Sequence, residues 1–477
     1  MKWKTTVVLL LATVGIGAFI SLYEIKQPSV EERQRISLEL LDIAPESVTQ
    51  IEIQGSTAAV SLSRDGARWW LGPQRIRANE ELIGQLLSTT APLMAQRLLT
   101  ETPDKPLDLA AFGLNPAKAQ LTLTAEGKTT TLLVGETTPV HNNRYAKRAD
   151  QPQVAIIGPI LFETINQPPE AFRDPLLLRF DTWLADAVTI TTQNRILALT
   201  RDGTDWQLTQ PVNDRADRAA VMNFLSTVGG LQVARVVEET PQKDQPSAWG
   251  FDAPHAEITL TLRGDSPSFP TVSFGKPLPD DESLRYAKRS DEQALYAVAA
   301  ASVDALLQDP NSLRAKACVE FFTSEVTKVE VKRGETGWTI ERKDDTWRSV
   351  SDTKLGTEAV PALVSDTGLD ASRVEAFLNT LADLRLVDFV EEQPQDPARY
   401  GLAPPEGTIT VWTSDPEKPQ RLLVGSTIEA STNRYGRIDG REPVVSLPEA
   451  VTALLDTPLE HLRQPPESAS PENITHP

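Results

Sequence analysis

Phe112-Gly113-Leu114-Asn115-Pro116, then Leu132-Leu133-Val134-Gly135, then Asn143-Arg144-Tyr145-Ala146-Lys147-Arg148 make up the stretch that decides how this chain is built, because the chain writes it three times. The second version is Trp249-Gly250-Phe251-Asp252-Ala253-Pro254, Phe274-Gly275 and Leu284-Arg285-Tyr286-Ala287-Lys288-Arg289. The third is Tyr400-Gly401-Leu402-Ala403-Pro404, Leu423-Val424-Gly425 and Asn433-Arg434-Tyr435-Gly436-Arg437. Self-similarity at a fixed period marks a tandem array of one module.

The flanks repeat as well. Upstream of the first block lie an alternating strand, Val48–Ile53, a second run at Ala59–Leu62, the turn Arg64-Asp65-Gly66 and Trp70, which together predict a hairpin. The second copy matches this with Ala187–Ile190, Arg201-Asp202-Gly203 and Trp206, and the third with Val326–Val331 and Trp347. Asn79 is a cap candidate before a helix carrying Leu82, Ile83, Leu86 and Leu87 at helical spacing. Its counterparts run from Arg218 to Val228 and from Ser372 to Leu378. Downstream, Leu121-Thr122-Leu123, Thr131–Val134, Arg144-Tyr145-Ala146 and Val154–Ile157 predict an antiparallel meander, closed by a helix at Ile160–Ile165.

The expected fold is therefore α+β: three tandem modules, each a mainly antiparallel sheet with about two helices, at residues 47–180, 181–322 and 323–464. Between Ser349 and Asp370 the third copy is longer than its counterparts and rich in Thr, Ser, Asp and Gly, which predicts an exposed loop. The tail, 465–477, is rich in Pro, Ser and Glu and is expected to be disordered.

Ahead of the modules, Lys2 and Lys4 precede the uncharged run Thr5–Tyr23, which as a helix would extend roughly 28 Å, about the thickness of a hydrocarbon core. Residues 1–23 thus predict an N-terminal transmembrane anchor with the rest of the chain outside the cytoplasm. The rival, a cleaved signal peptide, fits less well because no Ala-x-Ala motif follows. Residues 24–46 read as a stalk with one short ordered piece around Ile36–Leu41.

A net charge of −19 speaks against a nucleic-acid partner, since phosphate binding relies on clustered Lys and Arg. Cys318 is the only cysteine and the four histidines are scattered, so neither a metal site nor a cofactor is expected. No catalytic fingerprint stands out, and a hydrolase would need polar residues converging in one module's cleft. The candidate ligand or partner contacts are Arg144, Arg285 and Arg434, each beside a tyrosine, because guanidinium forks bind carboxylates and phosphates. The simpler alternative places Tyr145, Tyr286 and Tyr435 inward while the arginines point outward and pair with acidic neighbours. The aromatic-Gly-x-x-Pro block reads as a structural corner, with glycine supplying the turn and the flanking apolar residues entering the core.

The hairpin tryptophan, the strand at Val236-Val237, the Tyr400-Gly401-Leu402 and Pro404 block, the Leu-Leu-Val-Gly runs at 132–135 and 422–425, and the Arg-Tyr strands together resemble the bacterial domain-of-unknown-function family 4340 over about residues 48–463. That resemblance implies a membrane-anchored envelope protein, encoded beside a gliding-type ABC transporter, and hence a non-enzymatic accessory or scaffolding role with the transporter's membrane subunits as partners. The family offers no catalytic residues to carry over. Binding of an envelope polysaccharide or another anionic ligand is the alternative function.

Overall fold

A computed structural model describes Trp3 and residues 38–463, apart from 56–58, 102–106, 140, 242–245, 265–269, 353–367 and 416. Antiparallel sheet dominates, in one two-stranded, two nine-stranded and one eight-stranded sheet. This corrects the expected α+β class behind a transmembrane helix. Each copy keeps one helix of about three turns, Glu80–Thr89, Arg218–Gly229 or Ala371–Ala382, and a short closing helix, Ile160–Ile165 with the expected bounds, Ala300–Asp304 and Ala450–Asp456. The physical reason is that period-2 alternation, not helical faces, carries most of the buried apolar surface. Among the described residues no helix is long and apolar enough to cross a membrane. The run Thr5–Tyr23 and the tail 465–477 lie outside the described residues.

In the first copy the strand order is Ile76–Arg77, Arg68–Leu71, Ala59–Asp65, Val48–Gln54, Ala119–Ala125, Lys128–Thr137, Arg144–Arg148, Val154–Ile157 and Arg97–Leu99. In Val48–Gln54, Ile51 and Ile53 alternate into the core, Ile51 opposite Leu62 and Leu123, and a register shift between Val48 and Gln50 lets Val48 be buried as well. Ile83, Leu86 and Leu87 of the helix pack on the same face. Each such side chain contributes about 1.5–3 kcal/mol of burial. The third copy repeats the scheme with Val329 and Val331 against Ile340, Ile409 and Val411.

Register identifies equivalent positions that spacing alone had blurred. Trp69 faces Arg64, Trp206 faces Arg201 and Trp347 faces Arg342, so Trp69, not Trp70, is the repeated core tryptophan. Trp70 is only half-buried. In the third copy, Ser349 to Asp352 extends the strand Thr346–Asp352 instead of belonging to a loop. Capping repeats too: Asn79 accepts from Leu82 N, Asp217 from Ala220 N and Asp370 from Ser372 N.

By contacts the chain forms two compact units. One contains Met1–Phe180, Thr227–Glu257 and Pro270–Ala305; the other contains Asp181–Ser226, Ile258–Phe269 and Leu306–Pro477. The middle copy's strands divide between them, Ala185–Thr191, Ile196–Asp202, Asp205–Gln210 and Asp214–Arg215 falling in the second and Val233–Glu238, Val272–Pro277, Leu284–Arg289 and Leu295–Ala299 in the first.

Every copy receives a docking segment just before its first long strand. Leu38 O accepts from Ala95 N at 2.7 Å, Pro175 O from Val233 N at 2.8 Å and Lys316 O from Leu386 N at 2.8 Å. Leu40 and Leu41, Leu177 and Leu178, and Cys318 and Val319 are buried behind these bonds. The ordered piece of the stalk is thus the first copy's docking segment, in the strand Glu39–Leu41.

Candidate functional site

The three strand arginines are engaged within their own copies. Arg285 Nη1 donates to Gly275 O at 2.7 Å, Arg434 Nε to Gly425 O at 2.9 Å, and Arg144 Nη1 reaches Gly135 O at 3.4 Å while lying 3.7 Å over the Phe162 ring. Arg434 is buried and also donates to Glu406. The glycines that accept are those of the signature block, and their lack of a side chain is required. A Cβ at Gly135, Gly275 or Gly425 would lie 2.2, 2.0 or 2.0 Å from the carbonyl oxygen of Phe112, Trp249 or Tyr400. Tyr145 packs on Phe112 at 4.6 Å and Tyr435 on Tyr400 at 4.9 Å between ring centroids, while Tyr286 joins Trp249 and Phe251. The corner, the glycine and the Arg-Tyr strand are one structural brace. The three arginines belong to three separate braces and share no site.

Two other polar clusters lie where one copy hands over to the next. Their equivalence follows from backbone bonds: Asn79 N donates to Phe172 O at 2.8 Å and Asp217 N to Leu313 O at 2.7 Å, which aligns Arg173 with Arg314 and Ile76 with Asp214. In both, the linker arginine pairs with the second glutamate of a Val-Glu-Glu run, Arg173 with Glu239 and Arg314 with Glu392.

The handover from the second copy to the third, within the second unit, is filled. Asp214 accepts from Arg314 Nε at 2.8 Å and bidentately from Arg441, Nε at 2.8 Å and Nη2 at 2.6 Å. Side-chain exposures of 3% for Asp214, 0% for Arg314 and 7% for Arg441 make this a buried cluster. Arg441 also donates to Ala315 O at 2.9 Å, and Arg314 stacks on Phe389. Burial works to raise the Asp214 carboxyl, but the hydrogen bonds and charges of Arg441 and Arg314 outweigh it and hold the group below the usual carboxylate range.

The handover from the first copy to the second, within the first unit, is open. Arg77, Arg173, Arg235, Arg289, Glu292 and Tyr296 line a cavity of about 530 Å³. Arg289, 1% exposed, donates to Leu177 O and to Asp291 at 3.0 and 2.8 Å. Tyr296 donates to Glu292, whose Oε1 lies 3.2 Å from Arg77 Nε and 3.3 Å from Arg289 Nε. These are charge contacts without hydrogen-bond geometry: Arg77 Nε and Nη2, Arg173 Nε and Glu292 Oε1 are buried with no hydrogen-bond partner among the described residues. Burial, then the Arg289 charge, lowers the Arg77 guanidinium from its usual value. Burial likewise raises the Glu292 carboxyl against the pull of Arg289, Tyr296 and Arg77, and raises the Tyr296 hydroxyl.

Four guanidinium groups share this lining with the carboxylates of Glu170, Asp174 and Glu292, and Arg235 and Arg289 are paired with Asp280 and Asp291, so the donors left for added negative charge are Arg77 Nε and Nη2 and Arg173 Nε. Among the described residues no group of three His, Cys, Asp or Glu is placed to hold a metal ion. Cys318, equivalent to Leu177, is a buried thiol pushed up to about 12 by burial and serves as a core residue. Sequence reasoning missed Arg77, Arg173 and Glu292, which fall outside the three-fold motif, and Arg289, which ends the motif's Arg-Tyr strand with nothing in the sequence to show it meeting the others. The only signal was that the copies disagree there, with Ile76 against Asp214 and Glu292 against Arg441.

The family model "Domain of unknown function (DUF4340)" matches residues 71–205, 206–368 and 362–467. No curated protein matches the chain. Among solved structures, a DNA polymerase sliding clamp from Pseudomonas aeruginosa is 6% identical, over 87% of this chain and 94% of that chain, with a TM-score of 0.14, a likeness too slight to bear on fold or function. The three matches cover most of the chain, which therefore belongs to the DUF4340 family and carries its domain as an internal repeat.

Proposed function

We propose that this chain is a non-enzymatic accessory or scaffolding protein of the bacterial cell envelope. It works on the extracytoplasmic side of the cytoplasmic membrane and holds membrane subunits of an ABC-type transport or envelope-assembly system. The supporting observation is a pair of exposed aromatic side chains in the second unit. Trp183 is 59% exposed and Phe322 is 73% exposed. They sit at corresponding short turns, Thr182–Leu184 and Thr323–Glu325, which open the second and third copies. Aromatic residues of this kind are the usual anchors of protein interfaces, and repeating one at each turn multiplies a weak contact. The strand arginines support an anion-binding surface less well, since a ligand would have to displace their glycine carbonyls.

The test is cross-linked capture from intact membranes with the full chain. Membrane subunits of a transport or assembly system should be recovered, and Trp183→Ala combined with Phe322→Ala should lower that recovery about tenfold. Recovery of no such subunit by the unaltered chain would sink the proposal.

A further inference from the structure

The two handovers provide a comparison inside one molecule. In the second, the chain supplies a carboxylate, Asp214, to the linker arginine Arg314 through Nε at 2.8 Å, and Arg441 takes the other side. In the first, the position of Asp214 is occupied by the apolar Ile76, and the equivalent linker arginine, Arg173, has its Nε buried with no acceptor among the described residues. Arg77 adds a buried Nε and Nη2 that donate to nothing among the described residues. A buried donor without an acceptor is destabilising, more so when charged, and here several coincide. They border a cavity of about 530 Å³, within the size range of small-molecule sites.

We propose that this cavity in the first unit binds a small organic carboxylate, whose charged group accepts from Arg173 and Arg77 as the Asp214 carboxylate accepts from Arg314 and Arg441. Glu292 faces Arg77 and Arg289 instead of Arg173: its Oε2 accepts from Tyr296, and its Oε1 lies beside Arg77 Nε and Arg289 Nε without hydrogen-bond geometry. The cavity is larger than a carboxylate group alone, so the ligand brings a body of several further atoms, which Ile76, Leu177 and Val236 meet with apolar surface. A carboxylate is favoured over a phosphate because it is a carboxylate that fills the equivalent place in the same chain.

Calorimetric titration of the full chain with succinate, acetate and inorganic phosphate tests this. Succinate is expected to bind saturably with one site, and more tightly than phosphate. Ile76→Asp, which supplies the carboxylate from the chain itself, should weaken succinate about tenfold or more, and Arg77→Gln should do the same. Circular dichroism checks that each variant is folded; should Ile76→Asp fail that check, Arg77→Gln decides alone. The proposal is overturned by absence of saturable succinate binding, by unchanged affinity in a folded Arg77→Gln chain, or by phosphate binding as tightly as succinate.

Discussion

The handover from the first copy to the second and that from the second to the third are built on the same backbone bonds, yet one is open and the other closed. The closed one buries a full set of charges that satisfy one another: Asp214 between Arg314 and Arg441, with Glu392 on the far side of Arg314. The open one buries Arg77, Arg289 and Glu292 in contact, with Arg77 and Glu292 incompletely bonded among the described residues, beside a cavity. Single positions account for the difference, Ile76 against Asp214 and Glu292 against Arg441. Repetition of a module therefore fixes the frame and the linker Arg-Glu pair, while the groups around that pair differ between the two handovers. A buried ion cluster of this sort is weak support for stability by itself, but removing one member of it is expensive.

The comparison can be broken most forcefully at Asp214. Asp214→Ala leaves Arg314 and Arg441 buried without their counter-charge, and should destabilise the second unit by about 3–5 kcal/mol in urea unfolding. Added acetate should recover part of that loss. Equal stability of variant and unaltered chain would mean the cluster is not the lock described here.

Acid titration separates the two handovers by sign. The Asp214 carboxyl is held below its ordinary value of 3.8, so its contribution is complete above that pH and is lost as pH falls through the lower folded value. The Glu292 carboxyl is raised above 4.5, so its contribution is complete below that pH and is lost as pH rises through the higher folded value. Hydrogen exchange followed from pH 3 to 7 should show amides near Arg215 losing protection at the acid end and amides near Tyr296 losing it toward neutrality. Parallel behaviour of both would contradict the assignment.

Smaller effects sharpen the picture. Glu292→Gln retains an acceptor for Tyr296 and removes a charge that burial already disfavours, so it should change stability by about 1 kcal/mol or less, well under the effect at Asp214. Cys318→Leu installs the residue that Leu177 provides at the equivalent docking position, and should shift stability by less than about 1.5 kcal/mol. A large loss there would show that the thiol does more than pack.

The triplicated frame was legible in the sequence because its requirements are local. Gly135, Gly275 and Gly425 must be glycine where a carbonyl approaches within about 2 Å of the absent Cβ, and Asn79, Asp217 and Asp370 must cap a helix. The alternation of Val48–Gln54 likewise named the buried face of that strand. The sequence shows where the helices lie, Ile160–Ile165 among them, but not how far the paired strands outweigh them in four antiparallel sheets. Spacing cannot resolve a one-residue register, so it points to Trp70 where the strand pairing repeats Trp69. The cavity was not legible, since Arg77, Arg173, Arg289 and Glu292 come together only through docking of one copy on the next, and no interval along the chain encodes that meeting. Arg144, Arg285 and Arg434 repeat because they are architecture, whereas the candidate site combines repeated arginines, Arg173 and Arg289, with departures from the repeat at Ile76 and Glu292.

The most direct test of the central claim is a crystal structure of the full chain carrying Ile76→Asp. The introduced carboxylate is expected to accept from Arg173 Nε in the way Asp214 accepts from Arg314, closing the first handover. A structure in which that side chain turns away and Arg173 Nε remains without an acceptor would show that the two handovers are not equivalent sites for a carboxylate.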